Sequence, residues 1–250
     1  MKINMVFGNI FSSAKSSLAG FSALGADMHS HLVPGIDDGA RTLDDSVSLI
    51  RSMSALGFKK LITTPHIQHD FYRNTPEIIF NGLDTVRNAI RSENIPVEIE
   101  AAAEYLLDDG FETLAENGDL LSFSGKHILV ELSYFNPNPN LKNLVFNLQC
   151  DGYMVILAHP ERYTYWFNDF GKFEDLKDRG IFFQLNLVSL TGFYPDPVKK
   201  FAEKLIDKGM YDFAGSDMHN MNYMNALEKS LKEKSLKKLL ESGKLLNSKL

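Results

Sequence analysis

The sequence predicts an α/β fold in which seven strand-then-helix units close into a parallel barrel. Three observations carry this expectation. Strand-like and helix-like runs alternate from residue 26 onward, which implies parallel strands joined by crossover helices. Each strand run is short and strongly apolar, as befits strands buried on both faces. Chemistry-bearing residues recur where those runs end, and in a parallel barrel all such ends meet on one face. At 250 residues the chain can bury a sizeable core of this kind.

The first strand is expected over 26–29. A helix follows over 43–56, with Thr42 or Asp44 as its cap and Gly57 as its stop. The second strand covers 60–64. A long helix over 75–93 opens on Thr75-Pro76-Glu77, with proline in the first turn where its missing N–H is no loss. The third strand spans 97–102 and leads to a short helix around 110–117. The fourth strand, 127–131, precedes a helix over 140–150, and the fifth, 153–157, precedes one near 169–178. The sixth strand, 181–185, precedes a helix over 197–208, and the seventh, 212–214, precedes a helix with a Lys-rich face over 225–240. No internal repeat, low-complexity tract or dividing linker occurs, so residues 23–250 are read as one domain. Residues 1–22 form an N-terminal arm. There Phe7, Ile10, Phe11, Ala14 and Leu18 recur at helical spacing, giving an amphipathic helix expected to dock on the main domain.

Composition narrows the function. A net charge of −6, from 26 basic and 32 acidic residues, lacks the basic excess of a general nucleic-acid binder. No run of about 18 apolar residues occurs, so no transmembrane helix is expected. Serines and Lys15 interrupt the apolar residues of the N-terminus, which makes a poor secretory signal; the expected location is cytoplasmic. Cys150 is the only cysteine, so no intramolecular disulfide forms, in keeping with a reducing compartment. Its surroundings, Leu148-Gln-Cys-Asp-Gly152, lack the glycine-rich, Arg-terminated loop of a thiol phosphatase, and it is read as a helix-terminal core residue.

The strand ends carry the chemistry. The first leads into His29 and His31, two residues apart and so pointing to one side, then into Asp37 and Asp38. The second runs into Thr64-Pro-His66, the third into Ala103-Glu104-Tyr105, and the fourth ends at Glu131. The fifth ends at Ala158-His159-Pro-Glu-Arg162, the sixth at Gln184-Leu-Asn186, and the seventh at Gly215-Ser-Asp217-Met-His219. Five of the seven histidines fall at these ends, while His69 in a loop and His127 at a strand start receive no role. Singly, each of these residues reads as a hydrogen-bonded core group or a helix cap. Together, so many ionisable groups on one face call for cations as partners. Imidazole and carboxylate without thiolate suit Mn, Fe, Zn, Co or Mg, and about nine ligands suit two or three ions. Such a cluster serves phosphoester hydrolysis, with amide and C–N hydrolysis sharing the same tools. Arg162 offers the planar donor fork suited to phosphate, against the plainer reading of an ion pair with Glu161 or Asp169; Arg41 and Arg73 lie in flanking loops. Phe71, Tyr72, Tyr105, Tyr134, Phe135, Tyr163, Tyr165 and Trp166 crowd the same loops, either as ordinary packing or as a rim that stacks on an aromatic phosphoester.

These residues resemble the polymerase and histidinol phosphatase (PHP) superfamily, and within it the bacterial protein-tyrosine phosphatases that act on tyrosine kinases of capsule and exopolysaccharide export. The resemblance is carried by Asp27-Met-His-Ser-His31, Gly35-Ile-Asp-Asp-Gly39, Thr64-Pro-His66, Ala103-Glu104, Glu131, Ala158-His159-x-Glu-Arg162 and Ser216-Asp-Met-His-Asn220. It implies a distorted (β/α)7 TIM-like barrel with a site of two or three divalent metals, Mn foremost, at the C-terminal face. It further implies that His29, His31, Glu104 and Asp217 hold a first metal. Glu104 would bridge to a second held by Glu131 and His159, and Asp38, His66 and His219 would hold a third. Arg162 matches a phosphate-binding arginine, with Asp217 or Asp38 as the acid that protonates the departing phenolate. The implied substrate is a tyrosine-phosphorylated protein, such as the tail of a bacterial tyrosine kinase. The chain departs from the pattern after Asn220. Met221-Asn-Tyr-Met-Asn225 holds no second arginine, and no basic residue appears before Lys229. Two alternatives stand beside this reading: a small-molecule phosphatase of the histidinol-phosphate type, and a non-catalytic binding module that retains the metals.

Overall fold

The structure, a computed structural model, describes Leu18, residues 20–118 and residues 120–250. The expected arm helix over 1–22 lies largely outside the described residues. Leu18 packs against the core, and its N–H donates to the carbonyl of Leu231 at 3.2 Å.

Strands and helices alternate as the pattern requires, and every strand pair is parallel. The chain runs β1 (Ala26–Asp27), α1 (Leu43–Ala55), β2 (Lys60–Thr63), β3 (His66–Ile67), α2 (Pro76–Ser92), β4 (Glu98–Ala101), β5 (Glu104–Leu106) and α3 (Asp109–Asn117). It continues through β6 (His127–Glu131), α4 (Leu141–Cys150), β7 (Met154–Ala158), α5 (Gly171–Asp178), β8 (Phe182–Asn186), α6 (Asp196–Asp207), β9 (Phe213–Gly215), α7 (Met221–Ser230) and α8 (Lys234–Glu241). Helix starts follow local chemistry. Thr42 caps α1 in a reciprocal box with Asp45, Thr75 caps α2 with Pro76 in its first turn, and Asp108 caps α3.

Three expectations are corrected. The second and third expected strands are present as β2 and β4, but each is followed after a break by a further short strand, β3 and β5, that was not expected. Pro65 lacks the N–H a continuous ladder needs, and after the break the chain passes from one sheet to the other. The helix expected over 225–240 is two helices, because Ser230 turns its hydroxyl back to Leu227 O and Glu233 is extended. Cys150 is exposed at the end of α4, since the buried stripe of that helix is Leu141, Leu144, Val145 and Leu148.

The strands form a three-stranded sheet, β1-β2-β4, and a six-stranded sheet, β3-β5-β6-β7-β8-β9. A smaller apolar cluster of Met28, Ile62, Ala102, Phe123, Leu129, Ile156, Ala158 and Phe213 gathers strand and loop residues, while a larger one joins strands to helices. Two sets of bonds tie β1 to β9. Beyond the strand ends, Asp217 N–H donates to His29 O at 2.7 Å and His31 N–H to Met218 O at 2.9 Å. At the other end the buried Asn247 amide donates to Ala26 O at 3.0 Å and Ala214 O at 2.7 Å, and accepts from Ala214 N–H at 2.9 Å. Among the described residues no helix is long and apolar enough to cross a membrane.

Replacing Asn247 by Ala strands two carbonyls and one N–H in the interior, at about 1–3 kcal/mol for each group left unsatisfied. Urea unfolding should register a loss of about 3 kcal/mol or more, well above an ordinary surface substitution.

Candidate metal centre

The strand ends on one side of the sheets converge on a cleft of about 410 Å³. His29 and His31 follow β1 and are fully buried. The loop after them closes tightly: a Cβ at Gly39 would lie 2.4 Å from His31 Cβ, so Asp37-Asp38-Gly39 folds back only with glycine there. Asp37 then accepts His31 Nδ1–H at 2.8 Å and His66 N–H at 3.1 Å. His29 Nδ1 donates to Gln184 Oε1 at 3.0 Å, and His219 Nδ1 to the carbonyl of Asp217 at 2.7 Å. In each case the occupied Nδ1 leaves Nε2 facing the cluster, the arrangement metal-ligating imidazoles require. His159 and Asp217 sit at positive φ, +33° and +52°, in backbone that other side chains avoid. Such strain is held by its surroundings: Asp217 N–H bonds to His29 O and His159 N–H to Gln184 Oε1.

Three sets of donor atoms lie close enough to share ions. They are His29, His31, Glu104 and Asp217; then His66, Glu104 and Glu131; then His31, Asp38, His66 and His219. The first set is the one the family resemblance implies. The third adds His31 to the implied trio. The second has His66 where His159 was expected, although His159 Nε2 lies 3.1 Å from Glu104 Oε1 and 3.5 Å from Glu131 Oε1. All nine expected ligands therefore lie in one cluster, with His29, His31, His66 and His159 directly against Glu104. His69 is exposed and His127 bonds to Ser124 O at the start of β6, both apart from the cluster.

The cluster fits cations. Glu104 Oε2 lies 3.1 Å from His29 Nε2, 3.4 Å from His31 Nε2 and 3.2 Å from His66 Nδ1, yet is properly hydrogen-bonded to none. His66 Nδ1 and His159 Nδ1 are likewise buried without a hydrogen-bond partner. Burial disfavours a charged His29, but the Glu104 and Asp217 carboxylates outweigh it and raise its pKa to about 9. Burial holds His66 and His159 down at about 4, with Arg162 adding to the effect on His159. Glu131 is pushed up to about 8 by burial and by the Glu104 charge. Burial would raise Asp38 too, but His219, His66 and His31 hold it at about 2.

Arg162 stands over this floor. Neither Glu161 nor Asp169 is its partner: Nη1 donates to Asp217 Oδ2 at 3.1 Å. Its guanidinium is stacked between the rings of Tyr134, at 4.5 Å, and Tyr194, at 4.6 Å. It is the one guanidinium or ammonium among the described residues lining the cleft. Arg41 and Arg73 line neighbouring cavities instead. Where a second arginine was implied, α7 begins, and Tyr223 stacks on His219 with ring centroids 4.9 Å apart. Of the aromatic loop residues, Phe71 and Phe135 stand at the mouth, 77% and 86% exposed, with Tyr72 and Tyr134 lining the wall. Tyr105, Tyr163 and Trp166 are buried packing residues.

A model of the family described as "Capsular polysaccharide synthesis, CpsB/CapC" matches residues 25–242. The chain belongs to the CpsB/CapC family. It is 28% identical over 200 residues to tyrosine-protein phosphatase YwqE of Bacillus subtilis, covering 80% of this chain and 79% of that one. It is 25% identical over 202 residues to tyrosine-protein phosphatase CpsB of Streptococcus agalactiae, covering 78% and 83%. A chain from the crystal structures of YwqE and of Streptococcus pneumoniae CpsB, described as unique metal-dependent tyrosine phosphatases, superposes with a TM-score of 0.77. That match has 27% identity across 89% of this chain and 94% of the other. The Listeria monocytogenes lactonase Lmo2620 matches with a TM-score of 0.50 and 11% identity, which is likeness of fold alone.

In this CpsB/CapC chain several supporting residues had no assigned role from sequence. Gln184 holds both His29 and His159, and Asn186 donates to Asp217 Oδ2 at 2.7 Å; their two-residue spacing at a strand end was the available signal. Glu161 lies beneath the site, accepting from Asn186 N–H, Ser189 Oγ and Tyr211 OH. Because His29 carries a second proton below about pH 9, a cation must displace it on binding. Calorimetric titration with Mn in buffers of different ionisation enthalpy should show net proton release at pH 7, falling away as pH rises through 9.

Proposed function

We propose that this protein is a metal-dependent phosphatase that hydrolyses phosphotyrosine in a protein substrate, specifically the tail of a tyrosine kinase of capsule or exopolysaccharide export, in the cytoplasm. The observation that carries the reading is the stacked Arg162 guanidinium above a buried cluster of imidazoles and carboxylates. In this reading the two sheets are staves of one distorted (β/α)7 barrel, supported by the parallel Ser30–Met218 bridge between them.

His29, His31, Glu104 and Asp217 would hold one divalent ion, Glu104, Glu131 and His159 a second, and Asp38, His66 and His219 a third, with Mn the foremost candidate. Bound there, the ions supply Lewis acidity toward the phosphoryl group and a nucleophilic water at neutral pH. The remaining work belongs to the side chains. Arg162 spends one of its five N–H donors on Asp217 and keeps the rest for the equatorial oxygens of the phosphoryl group. Its two flanking rings fix the fork before substrate arrives, so little orientation is lost on binding. Asp217 has one oxygen bonded to Arg162 and Asn186 and the other facing His29 and His31, so it serves as ligand and anchor. Asp38, at the solvent edge, is placed to relay a proton from water to the departing phenolate. Phe71, Tyr72, Tyr134 and Phe135 offer the substrate ring aromatic faces at the mouth.

Arg162→Ala should lower turnover of a phosphotyrosine peptide by about a hundredfold with metal content unchanged. Unchanged turnover would remove Arg162 from the mechanism. Chelation should abolish hydrolysis and added Mn restore it; a metal-loaded protein inert toward every phosphoester would instead be a binding module. A panel setting phosphotyrosine peptide against histidinol phosphate decides the substrate class.

A further inference from the structure

We propose that the cavity beside the cleft is a second subsite, which takes an apolar side chain of the substrate polypeptide next to its phosphotyrosine. The proposal rests on the phosphotyrosine reading and adds to it the source of sequence preference.

The cavity, about 440 Å³, lies against the strand-end cleft and shares Gln68 and Leu106 with it as walls. Ile67, Tyr105, Phe111 and Leu114 give it apolar walls, Arg73, Asp108 and Asp109 add charged ones, and the exposed Thr113 of α3 lines it as well. Leu106 stands two residues beyond Glu104 on β5, so both point to the same side, about 7 Å apart along the strand. That step equals about two residues of extended polypeptide. A substrate whose phosphotyrosine reaches Glu104 and Arg162 therefore carries a neighbouring side chain across Leu106 into the cavity.

The backbone around the cavity excludes another mode of recognition. Gln68 exchanges both its backbone groups with Tyr72, and the N–H groups of His69 and Gly110 bond to the Asp108 carboxylate. Those groups offer no free ladder to an incoming strand, so the subsite selects by burial against its apolar walls. Seating one leucine side chain in such a site corresponds to about tenfold in affinity or more.

The test uses alanine-based phosphotyrosine peptides carrying one leucine at each position within three residues of the phosphotyrosine, with p-nitrophenyl phosphate alongside. The full chain should favour one leucine peptide over the all-alanine peptide by about tenfold in KM at equal kcat. Thr113→Trp, which fills the cavity from its rim, should erase that preference and leave p-nitrophenyl phosphate hydrolysis unchanged. Equal KM for every peptide, or a preference that survives Thr113→Trp, would overturn the proposal. If tryptophan disturbs α3 and hydrolysis of the small ester falls, Thr113→Phe is read by the same criteria. Calorimetric binding of the same peptides reads the preference without turnover. Selective binding with no hydrolysis would then refute the phosphatase reading and leave the subsite standing.

Discussion

Glu104 sets the terms for the whole molecule. Its carboxylate is fully buried, and His29, His31, His66 and His159 approach it from three other segments of chain. A bare carboxylate in such a place costs many kcal/mol, and without cations it is met only by protons drawn onto His29 and His31, whose pKa values the neighbouring carboxylates raise. Cations reconcile these groups. The arrangement of strands, the positive φ of His159 and Asp217, and the supporting residues Asp37 and Gln184 are all conditions for keeping donors around that one carboxylate.

Much of this was legible from sequence because period-two geometry and parallel topology act together. His29 and His31 had to share a side, and the ends of parallel strands had to share a face. The ligands were visible for that reason. Their supports were less so. Asp37 and Asp38 are adjacent and chemically alike, and only the fold-back at Gly39 decides that Asp37 holds the His31 imidazole from behind while Asp38 faces the cleft. Gln184 and Asn186 are uncharged, and such residues at a strand end are as common in turns as in sites. The extra strand after Pro65 and the division of the last long helix come from local features, a missing N–H and the Ser230 bond to Leu227 O, that the apolar pattern does not register. Cys150 was misplaced because a helix end tells little about which flank faces the core.

In the proposed function, the stacking of Arg162 lets one arginine serve where the family resemblance implied two. A free guanidinium on a flexible stem loses considerable rotamer freedom when it grips an anion. Here Tyr134 and Tyr194 clamp its plane and Asp217 fixes its edge, so that loss is taken at folding. The position after Asn220 is meanwhile given to Tyr223, which stacks on His219. In that reading orientation replaces the missing charge, and Arg162 remains the one guanidinium or ammonium among the described residues lining the cleft.

The Asn247 contacts carry a consequence for synthesis on the ribosome. The bond from Asn247 to Ala26 joins residues 221 apart in sequence. Loop closure over such a span costs entropy before any contact repays it, and non-local pairings of this kind slow folding. While the chain is being made, β1 has β2 on one side and nothing on the other. His29 waits for Asp217, and the first donor set stays incomplete until β9 has been translated. Only after residue 247 emerges can the seam lock at both ends. A nascent chain therefore passes through a long interval with an open strand edge and an incomplete donor set, the condition in which unpaired edges are exposed to association.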